Sequence, residues 1–337
     1  MLHVPEHQLD TLLHRGTTAE VWRATRLGPN GFTVPVALKT LNDTCAAAPE
    51  QVRNFLKEAR AASSVQHPNV VQVRELIFDR NRYWISMELI SGWSVRALLL
   101  ALESFMQPMP IPVALSLVRD AVRGLHAIHE AGLVHRNVAP DNLMVASTGH
   151  LMVLDFGLAN WQHTQRIRFT PPVEVLDPVY SSPDLRARLP VDARTDVFSL
   201  GALLDQLIPQ RSDTPVALDA IIRRALDVDV TRRFPSAQAL EVAIDLVSIR
   251  EGWMVPPSYV SAYLNDVFRS TSPAMPRPAS ELDHVAPAER EPPMAPIHRA
   301  VLPRGRHGMV GVGAMQPIAL AKNDPAWQDL LLDVDDD

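Results

Sequence analysis

The spacing of apolar residues changes character along the chain. Between Leu9 and Leu41 it is strand-like. Val21–Thr25 and Val34–Thr40 are β-branched and apolar runs, and Gly28-Pro29-Asn30-Gly31 between them is a strong turn signal. Gln51–Ser64 then takes helical spacing, with Val52, Phe55, Ala59 and Ala62 on one face. Val70–Ile77 and Tyr83–Leu89 return to strand character. From about Ser94 the pattern is mostly helical. Val95–Met106 reads as a packed helix broken by Arg96, Glu103 and Ser104, and Pro112–Ala131 as a long amphipathic helix ended by Gly132. Leu151–Leu154 is a short apolar strand. Thr195–Ile208, Val216–Ala225 and Ser236–Val247 predict further helices. Pro257–Phe268 predicts a last one, with Val260, Tyr263, Leu264 and Val267 facing inward. Strands first and helices afterwards predict an α+β arrangement in two lobes, a small β-rich lobe over about 8–90 and a larger helical lobe over about 91–268.

The composition shifts at Arg269. Residues 269–324 are rich in Pro, Ala, Ser and charge, with a glycine-rich stretch at Gly305–Gly313. Such a segment has too little to bury to offset its ordering entropy, which predicts a disordered linker. Residues 325–337 form an acidic-hydrophobic motif. Asp324-Pro325-Ala326-Trp327 looks like a helix start, and Trp327, Leu330 and Leu331 fall on one helical face. Asp333 and Asp335–Asp337 sit where the helix dipole prefers cations, so this helix is expected to be marginal alone and to form on a protein partner with Trp327 as anchor. Folding back onto the chain's own domain is the alternative.

Bulk properties narrow the function class. The formal net charge of -6 gives no basic field for nucleic acid or anionic lipid. The single cysteine, Cys45, makes no intramolecular disulfide and suits a reducing compartment. Met1–Asp10 has no apolar core of a secretory signal, and no apolar run reaches the roughly 18 residues of a membrane span. These features predict a soluble cytoplasmic protein without nucleic-acid or membrane partners.

A series of spaced motifs adds chemistry. Val36-Ala37-Leu38-Lys39 ends an apolar run on a lysine, and Glu58 lies in Phe55-Leu56-Lys57-Glu58-Ala59. His67-Pro68-Asn69-Val70-Val71 and Met87-Glu88-Leu89-Ile90 follow. Then come His135-Arg136-Asn137-Val138-Ala139-Pro140-Asp141-Asn142, Asp155-Phe156-Gly157, Ser182-Pro183-Asp184, Asp196-Val197-Phe198-Ser199-Leu200-Gly201 and Arg233. In this order and at these gaps the set resembles the Hanks-type protein kinases, particularly bacterial Ser/Thr kinases, over about residues 8–250.

The resemblance implies a bilobal kinase fold and a site for ATP and Mg²⁺. Lys39 would pair with the α- and β-phosphates and with Glu58. Asp155 and Asn142 would be the metal ligands, hard oxygens for a hard ion. The backbone around Glu88 and Ile90 would meet the adenine edge behind the gatekeeper Met87, with Val21, Ala37 and Met144 sandwiching the ring. Only Gly16 remains of the three glycines of the phosphate loop, in His14-Arg15-Gly16-Thr17-Thr18-Ala19-Glu20-Val21. Weaker phosphate contact is expected, because glycine is what lets backbone N–H groups approach phosphate closely.

The catalytic loop departs from the family. Asn137 stands at the position of the catalytic aspartate, and a carboxamide takes up no proton near pH 7. Loss of a general base costs about 10²–10⁴ in rate. Ala139 replaces the lysine that reaches the γ-phosphate, so a cation for the transferring group is missing. Asp177 falls where a threonine would bridge the aspartate and lysine, and is itself the candidate for a relocated base. Arg136 is the family's acceptor for an activation-loop phosphate. Thr164 and Thr170, beside Arg166 and Arg168, read more simply as a solvated loop. These departures imply a pseudokinase that acts as a protein-binding regulatory module, constitutive or gated by nucleotide. The alternative is a weakly active or atypical Ser/Thr kinase, or another nucleotide-dependent transfer on the same fold.

Overall fold

The computed structural model describes residues 3–4, 6–105, 108–155, 160–161, 177–209 and 214–270. The linker and terminal motif from residue 271 onward lie outside them, as do Phe156, Gly157 and the loop carrying Thr164, Arg166, Arg168 and Thr170.

The first lobe is an antiparallel sheet of β1 (His3–Val4), β2 (His7–Arg15), β3 (Ala19–Leu27), β4 (Thr33–Leu41), β5 (Val73–Asp79) and β6 (Arg82–Glu88), in the order β1-β2-β3-β4-β6-β5. The expected turn between β3 and β4 forms, with Asn30 and Gly31 at positive φ. Strand alternation gives the sheet two unlike faces. Val36 and Leu38 point to one side, where they pack with Ala24 and Trp84 in a small core. Ala37 and Lys39 point to the other. Register places Val21 beside Lys39, Met87 beside Ala37 and Ile85 beside Lys39, so these side chains share that second face. The short helix α1 (Asp43–Ala46) is N-capped by Asn42 and leads to α2 (Pro49–Ser63), which opens on a proline and buries Phe55, Leu56, Ala59 and Ala62.

The second lobe is built on α3 (Val95–Phe105), α4 (Ile111–Glu130), α5 (Pro183–Arg186), α6 (Ala193–Leu207), α7 (Val216–Ala225), α8 (Ala237–Arg250) and α9 (Pro257–Ser270). Small sheets accompany them. β7 (Gly92–Ser94), β9 (Leu143–Ala146) and β10 (Leu151–Val153) pair in the order β10-β9-β7, and β8 (Leu133–Val134) pairs with β11 (Asn160–Trp161). Leu117, Val118, Ala121, Val122 and Leu125 of α4 and Val197 and Leu200 of α6 are completely buried. Asn69 joins the lobes: its carbonyl accepts from Val153 N at 2.8 Å, and its amide donates to Leu151 O at 2.8 Å.

Two limits of the folded unit differ from the sequence expectation. Pairing begins at His3 rather than at about residue 8, because β1 covers the edge of β2 and buries Val4 and His7. The last helix continues to Ser270, past the expected end at 268. It is well fastened. Val260 and Leu264 are fully buried, Ser261 Oγ donates to Ser147 O at 2.6 Å, and Phe268 stacks on Trp93 of β7 with ring centroids 4.4 Å apart. Gly149, in the β9–β10 turn, has φ of +91°, and a Cβ there would lie 2.0 Å from Pro257 O.

Charged groups deep in this lobe fix the backbone of the 135–142 loop. Asp196 on α6 is fully buried and accepts three hydrogen bonds, from His135 N at 2.9 Å, Arg136 N at 2.8 Å and His129 Nε2 at 2.8 Å. The Asp184 carboxylate pairs with buried Arg233 at 2.6 Å and accepts from Thr195 Oγ1 at 2.7 Å. Burial alone would raise both carboxyl pKa values. For Asp196 the bond and charge of His129 more than offset it, and for Asp184 the bonds from Thr195 and Arg233 do so, leaving both pKa values below the ordinary aspartate range.

Two outcomes follow. Gly149→Ala should destabilise the domain by about 2 kcal/mol or more in urea unfolding, since both the left-handed backbone and the contact with Pro257 are violated. Acid should act through Asp184 and Asp196. A depressed carboxyl contributes stability above its unfolded pKa of about 3.9 and loses it as pH falls through the folded value. The contribution of these two carboxylates should be flat down to about pH 5 and fall below it. The deficit of Asp196→Asn relative to wild type should be widest at neutral pH and narrow on acidification; a constant deficit would exclude this account.

Candidate functional site

The face of the sheet that carries Val21, Ala37, Lys39 and Met87 is one wall of the site, and its polar centre is Lys39. Its ammonium lies 2.5 Å from Glu58 Oε1 on α2 and 2.9 Å from Asp155 Oδ1 beyond β10. The ion pair expected between Lys39 and Glu58 is therefore present, with Asp155 as a third member. Lys39 and Glu58 are nearly buried and Asp155 is about one-third exposed. Burial disfavours the ammonium, but the Asp155 and Glu58 carboxylates outweigh it and hold the Lys39 pKa above that of free lysine. Burial pushes the Glu58 carboxyl up, Lys39 opposes this, and the Asp155 carboxylate adds to the rise. Asp155, the more exposed of the two acids, is the one placed to meet a divalent cation.

The loop 135–142 is set against Asp155 by backbone bonds. His135 Nε2 donates to Leu154 O at 2.9 Å while its Nδ1 accepts from Asn137 N at 3.3 Å, a pattern that selects the Nε2–H tautomer. Leu154 N donates to Asn142 O at 2.8 Å. Asn142 Nδ2 donates to Asn137 O at 2.9 Å, so the amide's oxygen points the other way as an acceptor. Asn142 and Asp155 thus offer an amide oxygen and a carboxylate, a donor set that fits Mg²⁺. Arg136 and Asp155 both hold positive φ, at 65° and 57°, a conformation costly for non-glycine residues that the surrounding bonds maintain.

The other expected residues fall around this centre. Glu88 ends β6, its N–H bonded to Gln72 O at 3.0 Å and its Oε1 accepting from Gln72 N at 2.8 Å. Ile90 follows, partly buried against the main core. Met144 lies in β9 opposite Ser94 and Met152. Gly16 closes the β2–β3 turn through a 2.8 Å bond from its N–H to Ala19 O, and it is not in the left-handed region.

Ala139 is buried within the main core, a methyl group where a phosphate-reaching cation would begin. Asp177, weighed as a relocated base, has both oxygens engaged. Oδ2 takes the Arg96 guanidinium at 3.0 Å and Oδ1 takes Val179 N at 3.0 Å.

Two residues of the site escape sequence reasoning. Asn42 donates through Nδ2 to Thr17 O at 2.7 Å and through its N–H to Thr18 O at 2.9 Å, fastening the tip of the phosphate loop. Its place before a helix marks it as an N-cap, but nothing in the sequence signals a contact across 25 residues. Arg96 is the other; it reads only as an interruption of an apolar helix.

Similarity to known proteins agrees with this geometry. The family model described as protein kinase domain matches residues 8–242. The tyrosine-protein kinase MasK of Myxococcus xanthus is 32% identical over 268 residues, 69% of this chain and 41% of that protein. The serine/threonine-protein kinase PkaB of Streptomyces coelicolor is 34% identical over 206 residues, 58% of this chain and 47% of that protein. The chain thus spans less than half the length of these curated relatives. The crystal structure of the Mycobacterium tuberculosis PknI kinase domain superposes with a TM-score of 0.56 at 25% identity, covering 73% of this chain and 97% of that one. With well over half of its length matched and the Lys39–Glu58–Asp155 centre assembled, the chain belongs to the protein kinase family, Hanks type.

Proposed function

We propose that this chain is a nucleotide-binding pseudokinase, a regulatory module that docks a protein and transfers phosphate at most feebly. One contrast carries this reading. The nucleotide side of the cleft is assembled, with Lys39 paired to Glu58 and Asp155, while the transfer side has a carboxamide at Asn137 and a buried methyl at Ala139. Lys39 would hold the α- and β-phosphates. Asp155 and Asn142 would hold Mg²⁺, which neutralises phosphate charge when bound. Asn137 could orient an incoming hydroxyl but not remove its proton. The intact ion pair, together with the serine/threonine-kinase name of the similar PkaB, favours one other reading, a weakly active Ser/Thr kinase. The partner-docking element in our reading is Trp327–Asp337, whose apolar stripe and terminal aspartates suit a groove with a basic rim.

Incubation with γ-labelled ATP and Mg²⁺ should give no autophosphorylation or generic substrate labelling above background. Robust labelling abolished by Asp155→Ala would establish the weak-kinase reading instead. Mg-ATP should nonetheless raise the melting temperature, corresponding to about 2.7 kcal/mol at a hundredfold excess over Kd. Lys39→Met should remove most of that shift. A folded protein that shows no shift at millimolar Mg-ATP would make Lys39, Glu58 and Asp155 purely structural.

Deleting 327–337 should lower recovery of a bound protein in a pull-down while leaving the melting temperature unchanged. A lowered melting temperature would indicate that the motif packs on its own domain.

A further inference from the structure

Arg96 sits in the first turn of α3 with its guanidinium shared between two distant segments. Nε and Nη2 donate to Asp141 Oδ2 at 3.1 and 3.0 Å, and Nη2 also reaches Asp177 Oδ2 at 3.0 Å. Asp141 ends the 135–142 loop, and Asp177 opens the segment leading into α5. Those two carboxylates would repel each other without a cation between them. The stretch of the loop next to Asp141 supplies none, because Val138, Ala139 and Pro140 are apolar and buried. Burial opposes the charge on Arg96, but its bonds to Asp141 and Asp177 outweigh this, so the guanidinium stays charged throughout the working pH range.

The 177–184 segment is pinned at three levels. At its far end Asp184 is locked to Arg233 and Thr195. In the middle Tyr180 O accepts from Ser199 Oγ at 2.7 Å. Its near end is held by the Arg96 pair and by Asp177's own turn, in which Val179 N, Tyr180 N and Ser181 N all bond to Asp177. Of these, the Arg96 pair links the segment to the 135–142 loop.

We infer that Arg96 is a built-in latch: a cation supplied by α3 fastens the start of the 177–184 segment to the 135–142 loop, so that the segment keeps one conformation without phosphorylation of the chain. The latch does not depend on nucleotide binding or on whether phosphate is transferred. It gives a permanently formed surface beside the cleft rather than one assembled on a signal.

Hydrogen exchange on the full chain tests it. In Arg96→Gln, amides 179–182 should exchange about three- to tenfold faster, while amides of α7 remain unchanged. Arg223→Gln, which breaks an exposed i,i+4 pair with Asp219, should leave 179–182 as in wild type. Asp177→Asn keeps the acceptor for Val179 N but removes the charge, and should loosen the segment similarly. The double variant should be no looser than either single one, as for two halves of one contact. Phosphatase treatment of the wild-type protein should not alter exchange at 179–182. Unchanged exchange in Arg96→Gln, additive effects in the double variant, or loosening by phosphatase would each overturn the latch.

Discussion

One buried ammonium between two carboxylates organises the cleft. Lys39 comes from β4, Glu58 from α2 and Asp155 from the stretch after β10, so a single charge holds the sheet, the helix beside it and the edge of the helical lobe. Such an arrangement is not chiefly a source of stability. Desolvating three charged groups is costly, and a buried ion pair often breaks even against an apolar replacement. Its value lies in position, since one side chain ties three separate elements together. Asp155 is the more exposed of the two acids, and the neighbouring loop is held with the Asn142 amide donating to Asn137 O.

The second half of the cleft is held by different means. Asp196, sealed inside the helical lobe, fixes the 135–142 loop by its backbone, through His135 N and Arg136 N. Backbone anchoring is indifferent to the side chains at 137 and 139. The loop can therefore lose its aspartate and lysine and still keep its path, because the bonds that shape it were never made by those groups. This separates folding from chemistry. The scaffold persists with a carboxamide at Asn137 and a methyl group at Ala139.

Much of the fold was legible from the chain. The switch from period-two to helical spacing near Ser94 marks the change from sheet to helices, and Val36 and Leu38 alternating with Ala37 and Lys39 foretell two faces of one strand. Lys39 and Glu58 could be paired in advance through the resemblance to the kinase family, which implies that ion pair. Edges were harder. His3–Val4 is too short to carry a periodic signal, and it becomes a strand only because β2 presents an unpaired edge. The end of α9 at Ser270 depends on Phe268 meeting Trp93, a contact 175 residues away in sequence that no local pattern encodes.

The chain by itself determined the element types, the order of the motifs, the residues missing from the catalytic loop and the family to which they point. These are properties of residue identity and short spacing. Only the tertiary structure decided that Asn42 fastens the phosphate loop, that the Asn142 amide turns its oxygen away from Asn137, and that Asp177 is tied to Arg96. Each of these depends on the direction of a polar side chain toward a segment tens of residues distant. Sequence spacing limits which groups can meet, but hydrogen-bond direction is settled only when the backbone of both partners is fixed in space.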